Sequence, residues 1–147
     1  MKLLHSCLGG VLALGLWLAP APVEAATNLR MGLGADYWFD NGATFQFTLG
    51  VETHLAGPLH IGGRFGALLV TDPNTLGVPI DLVLRANLAR QFYIEGLVGP
   101  WLLFEGDTFR GHGAFGFGLQ SDNLSFGLEV GYLSPKPMLG LRLGYRF

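Results

Sequence analysis

From Asn28 to Phe147 the chain alternates apolar residues with polar or small ones at period two. That is the mark of strands whose two faces meet different surroundings. Turn signals interrupt the alternation at Asn41-Gly42, Gly57-Pro58, Asp72-Pro73-Asn74, Arg90-Gln91, Gly106-Asp107, Asp122-Asn123 and Ser134-Pro135-Lys136-Pro137. Asn41-Gly42 suits a type I′ hairpin turn. The spacing predicts eight strands, over 28–39, 44–55, 59–70, 78–88, 92–105, 108–121, 124–133 and 138–147. Most are near the length of a tilted membrane-crossing strand, about 9–11 residues, and several run a little over.

The two faces sort sharply. One carries Leu29, Met31, Leu33 and Tyr37, then Phe45, Phe47 and Leu49, and ends on Leu139, Leu141, Leu143, Tyr145 and Phe147, with no charge in any span. The other collects Arg30, Asp36, Glu52, Arg64, Asp81, Arg85, Glu95, Arg110, Glu129, Arg142 and Arg146, with His54, His60, His112, Gln46, Asn87 and Gln120, and many glycines. A soluble barrel would point the apolar face inward; a membrane barrel would turn it to lipid and fill the lumen with the polar face. The aromatics favour the second. With the N-terminus periplasmic, Tyr37, Phe39, Phe45, Phe104, Phe109 and Tyr132 fall near the external rim, and Phe92, Phe126, Tyr145 and Phe147 near the other. Two aromatic girdles around an aliphatic band fit a bilayer with two interfaces. Pro100 stands out as a proline within a strand, where it removes a ladder donor; a bulge beside Gly99 or a shortened fifth strand is expected.

Composition narrows the picture. Of 147 residues, 50% are hydrophobic, 14% are charged and 23 are glycine, and mean hydropathy is +0.39. Past the N-terminus no apolar run approaches the roughly 20 residues of a spanning helix, which leaves a closed barrel as the way to cross a bilayer. Glycine on the lumen face fits a barrel of eight strands, whose interior is only wide enough for side chains. A net charge of −2 gives no basic surface for nucleic acid.

The N-terminus reads as a leader: Lys2, then the apolar stretch Leu3 to Leu18, then Pro20 and Pro22, with Val23-Glu24-Ala25 presenting small residues for cleavage before Ala26. The expected organisation is a signal peptide over 1–25 and a barrel over 26–147. Cys7 lies within the leader, so the mature protein is expected to have no disulfide and no thiol chemistry.

The ending Leu141-Arg142-Leu143-Gly144-Tyr145-Arg146-Phe147 resembles the last strand of bacterial outer-membrane proteins, which alternates and finishes on an aromatic residue. With the leader and eight strands, the whole mature chain is similar to the small eight-stranded outer-membrane barrels of the OmpA transmembrane-domain and OmpX type. The resemblance implies a closed antiparallel transmembrane β-barrel in the outer membrane. It also implies that Tyr145 and Phe147 form the signal read by the barrel-assembly machinery, and that outer-membrane lipids and lipopolysaccharide are the surroundings. The chain departs from that family in its external connections, at Asn41-Gly42, Thr71 to Gly77, Gly106-Asp107 and Ser134 to Pro137, all short. Loop-mediated adhesion is therefore not expected, nor is wall anchoring, since no tethering domain follows.

Chemistry is sparse. Lipid A deacylases of the outer membrane carry a His-x-Ser motif, but here His54, His60 and His112 are followed two positions on by Ala56, Gly62 and Ala114. A nucleophile needs its base within hydrogen-bond reach, and the motif supplies none. His54 and His60 flank a turn, but two imidazoles alone make a weak metal site. Gly111-His112-Gly113 and Gly116-Phe117-Gly118 lack the helix that nucleotide binding requires. No catalytic, cofactor or metal residue is assigned, and the protein is not expected to be an enzyme.

The inward charges are the remaining constellation: Glu52, Arg64, Asp81, Arg85, Glu95, Arg110, Glu129 and Arg142. Counting outward from the turns sets Arg85 opposite Glu95, Glu129 opposite Arg142, and Glu52 opposite or diagonal to Arg64. Opposed unlike charges stabilise a strand pair. The preferred reading is a salt-bridged plug in a protein of structural or envelope-maintenance role. A narrow channel for ions or small polar solutes is the alternative, and a lipid A-modifying enzyme the third. Oligomeric state stays open.

Overall fold

Strand after strand pairs with its sequence neighbour, and the last pairs with the first. In the computed structural model, which describes residues 27–106 and 108–147, the described residues form eight strands in one closed antiparallel barrel. These are β1 (Thr27–Trp38), β2 (Gly42–Ala56), β3 (Leu59–Thr71), β4 (Asn74–Ala89), β5 (Phe92–Leu103), β6 (Phe109–Gln120), β7 (Leu124–Leu133) and β8 (Lys136–Arg146). The expected leader and its cleavage point before Ala26 lie outside the described residues.

Closure runs through β1 and β8, from Arg30 opposite Arg146 to Trp38 opposite Met138. Closing the sheet removes the unpaired edges that an open one would expose. Thr27 and Phe147 sit at the same end, here the terminal end; the hairpins after β1, β3, β5 and β7 form the distal end.

The alternation becomes a wall with its apolar face outward. Leu29 is 56% exposed, Val98 58% and Leu141 48%, while Glu129 is 1% exposed and Trp101 0%. Both sets of rim aromatics are outward, with Tyr37 against Phe39 at 5.2 Å and Tyr145 against Phe147 at 5.1 Å, each edge to face. The band between them is not purely aliphatic, as the sequence suggested: Phe47, Phe65 and Phe115 also face outward, near the middle of β2, β3 and β6.

Several connections differ from expectation; β5 and β6, expected to meet around a two-residue turn, end at Leu103 and begin at Phe109, with Leu102 opposite Phe109. The first hairpin is a three-residue loop, Phe39 to Asn41, with Trp38 opposite Gly42. Positive φ falls on Asp40 (65°) and Gly42 (83°), so this is not the two-residue turn at Asn41-Gly42. The third is only Asp72-Pro73, because β4 starts at Asn74 opposite Thr71. The last is Ser134-Pro135, with Leu133 opposite Lys136. Shortening that loop from four residues to two slides the register of β7 against β8 by two.

Pro100 causes no bulge. The β4–β5 register is the same on both sides of it, from Pro79 opposite Trp101 to Leu82 opposite Val98, with no pairs at the two positions between. The missing N–H is absorbed by a gap in the ladder rather than by an extra residue, and β5 runs past the proline to Leu103, two residues short of the expected end at 105. The bulges lie instead at the terminal end, between His54 and Ala56 and between Asn87 and Ala89.

Candidate functional site: the lumen

The pleat sends every second side chain into the barrel, and eight strands leave too little room for all of them to be large. The chain resolves this by setting glycine beside bulk. Glu129 has Gly116 opposite on one side and Gly140 on the other, and Arg142 has Gly127 and Gly34. Glu95 faces Gly116, Tyr93 faces Gly118, and Glu52 faces Gly62. The fit is tight: a Cβ on Gly34 would stand 2.7 Å from Arg142 Nη1.

Two ionic clusters fill the space so made. In the first, Arg142 binds Glu129 through Nε at 3.0 Å and Nη2 at 2.7 Å, and reaches Asp36 through Nη1 at 2.6 Å. Arg64 joins Glu129 at 3.3 Å to Asp81 at 2.8 Å. Asp81 also meets His112 Nδ1 at 2.7 Å and accepts the Trp101 indole N–H at 3.1 Å. Thr44 and Gln46 donate to Asp36 at 3.0 and 2.7 Å. Most of these groups are buried, so each carboxylate needs the donors it has.

The second cluster lies nearer the terminal end and balances two guanidiniums against two carboxylates. Glu52 holds Arg30 at 3.1 Å and Arg85 at 3.4 Å, and Arg85 also approaches Glu95 at 3.6 Å while lying 3.7 Å over the Tyr93 ring. A small cavity of about 50 Å³ lies between the clusters, reaching Thr48 and Leu97.

The sequence had these residues on the right face but mispaired some of them. Arg85 does stand opposite Glu95. Glu129 and Arg142 meet, but diagonally, since Glu129 is opposite Gly140 and Arg142 opposite Gly127. Glu52 pairs with Arg30 and Arg85 rather than Arg64, whose cross-strand partner is Asp81. Arg110 stands apart from both clusters, at the distal mouth, donating to the Ser134 carbonyl at 2.7 Å with its guanidinium 5.1 Å from the Trp38 ring. His54 and His60 do come opposite each other at the terminal rim, rings 5.5 Å apart, with His54 Nε2 on the Gly57 carbonyl at 2.9 Å.

Sequence reasoning missed an apolar cluster toward the distal end of the lumen. Trp38, Leu68, Val70, Trp101, Leu103, Leu133 and Met138 pack there as a buried cap, and the Trp38 indole donates to the Leu133 carbonyl at 3.0 Å. The lumen is therefore filled at two levels, by this apolar cluster and by the ion pairs beneath it, so the ion pairs are only part of the filling. No group of three His, Cys, Asp or Glu among the described residues could hold a metal.

No family profile and no curated protein matches the sequence. Solved structures do. A de novo designed transmembrane β-barrel superposes with a TM-score of 0.65 at 13% identity, over 82% of this chain and 95% of that one. The outer membrane protein Ail of Yersinia pestis, in a phospholipid bilayer nanodisc, does so with a TM-score of 0.57 at 13% identity, over 84% and 99%. The chain has the fold of a small transmembrane β-barrel. At such low identity the likeness reaches the wall and its closure and leaves the lumen contents to be read from this chain alone.

Proposed function

We propose that the protein is an integral outer-membrane barrel of structural or envelope-maintenance role, without enzymatic activity, whose lumen conducts neither ions nor solutes. The carrying observation is the arrangement of the faces: an apolar wall open to the outside around an interior filled by an apolar cap and two ionic clusters. In water such a wall would expose far more contiguous apolar surface than a soluble monomer tolerates. In lipid it is the ordinary exterior of a barrel, and the polar groups are satisfied within. In this reading the termini are periplasmic and the distal hairpins face out. Outer-membrane lipids and lipopolysaccharide surround the belt. Tyr145 and Phe147, at the end of the closing strand, present the assembly signal to the barrel-assembly machinery.

Planar-bilayer recording tests the closed lumen. The purified protein should insert and show no unitary conductance above the bilayer baseline. Discrete channels from the wild type would overturn the closed-barrel reading and favour a conduit.

A further inference from the structure

The terminal mouth of the barrel carries positive charge that the ionic clusters do not use. Arg30, Arg90 and Arg146 line a space of about 250 Å³ there, between the turn after β4, the turn after β6 and the end of β8. Arg30 is engaged by Glu52 at 3.1 Å. Arg146 donates to the Asp122 carbonyl at 2.5 Å, and among the described residues neither it nor Arg90 makes an ion pair. Asp122 is the single carboxylate lining that space, and with Arg30 paired to Glu52 the guanidiniums of Arg90 and Arg146 still outnumber it.

Beside this mouth, on the outer wall, runs an apolar groove of about 390 Å³ formed by Leu119, Leu124, Phe126 and Leu143. These residues are neighbours across three strands, Leu119 opposite Phe126 and Phe126 opposite Leu143. Gln120, Ser121 and Leu124 line both spaces, so the basic mouth and the apolar groove meet at the β6–β7 turn. A guanidinium pairs with phosphate oxygens in bidentate fashion. Basic pockets at the membrane face take up anionic lipid head groups. A molecule with a phosphate at one end and a hydrocarbon chain at the other matches the two halves together.

We propose that this rim is a binding site for one anionic phospholipid of the leaflet at the terminal end. Its phosphate is held by Arg90 and Arg146, and an acyl chain lies along Leu119, Phe126 and Leu143. The proposal rests on the membrane-spanning reading above.

The test titrates the full-length protein, released from mild detergent, with phosphatidylglycerol and with phosphatidylcholine of matched chains, and counts retained lipid by native mass spectrometry. One phosphatidylglycerol should be retained with about tenfold preference over phosphatidylcholine, and Arg90→Ala with Arg146→Ala should abolish that preference. Leu119→Trp, which fills the groove and leaves the arginines, should also weaken retention, whereas Lys136→Ala at the distal rim should change nothing. Excess inorganic phosphate should displace little lipid. Equal retention of the two lipids, or an unchanged double variant, would overturn the proposal. Full displacement by phosphate with no effect of Leu119→Trp would mean a free-anion site and overturn it equally. Failure of the protein to insert into vesicles would instead count against the membrane reading itself, and vesicle insertion is scored separately for each variant.

Discussion

Arg142 reaches across the seam of the barrel, from the last strand to Asp36 on the first, at 2.6 Å, while holding Glu129 on β7 with its other nitrogens. One guanidinium thus ties three consecutive strands of the closed sheet, β7, β8 and β1, at the place where the ends of the sheet meet.

That arrangement makes the two partners unequal. Removing Arg142 leaves Asp36 without its cation and Glu129 with Arg64 alone, whereas removing Glu129 leaves Arg142 with Asp36 and Arg64 with Asp81. Arg142→Met should therefore destabilise by about 3–5 kcal/mol, the usual loss when a buried pair is broken from one side. Adding Glu129→Leu should recover part of it. Reversible denaturant unfolding in lipid vesicles, run on both single variants and the double, measures the coupling. Strictly additive losses would mean that the contact carries no interaction energy.

The glycines beside the large lumen side chains give a second expectation. A Cβ on Gly140 would collide with the Asp36 carboxylate and stand 2.8 Å from Arg142 Nη1, whereas a Cβ on Gly96 meets nothing within 4 Å. Gly140→Ala should cost about 1–3 kcal/mol as an overpacked site, and Gly96→Ala should stay near neutral. The same vesicle unfolding assay compares them, and equal midpoints would show that the lumen yields more readily than its packing implies.

Lipid contact can be read with thiol chemistry in a Cys7→Ser background. Leu141→Cys, mid-strand on the outer wall, should resist a water-soluble maleimide in vesicles, while Ser121→Cys in the turn after β6 should react readily. Fast labelling at position 141 would mean that the apolar wall meets water.

How much of this was legible in the sequence follows from what sets each feature. The wall was legible because the pleat forces every second residue to one side, and Leu139, Leu141 and Leu143 alternate whatever their partners are. The partners were less so, since register hangs on loop length. Taking Thr71 to Gly77 as a loop hid the Arg64–Asp81 pair, which a two-residue turn at Asp72-Pro73 places directly opposite. A smaller error, a loop taken as four residues where two suffice, set Glu129 against Arg142 rather than beside Gly140. The distal cap was hidden for another reason. At Leu68-Leu69-Val70 and Leu102-Leu103 inward and outward neighbours are all apolar, so the alternation fades where the lumen turns dry. His112 carried a usable sign: its parity with Arg110 and Ala114 puts it inward, and an inward imidazole among carboxylates is seldom idle.

The apposition of glycine and bulk bears on how such a wall changes over generations. A larger side chain gained at a lumen position needs a smaller one on the adjoining strand, as Glu129 needs Gly116 and Gly140. Drift inside the barrel therefore proceeds in couples, while outer positions such as Leu141 or Val98 can be exchanged singly for any residue that lipid tolerates. Covariation between adjoining strands, confined to alternate positions, would be the inherited trace of the register itself.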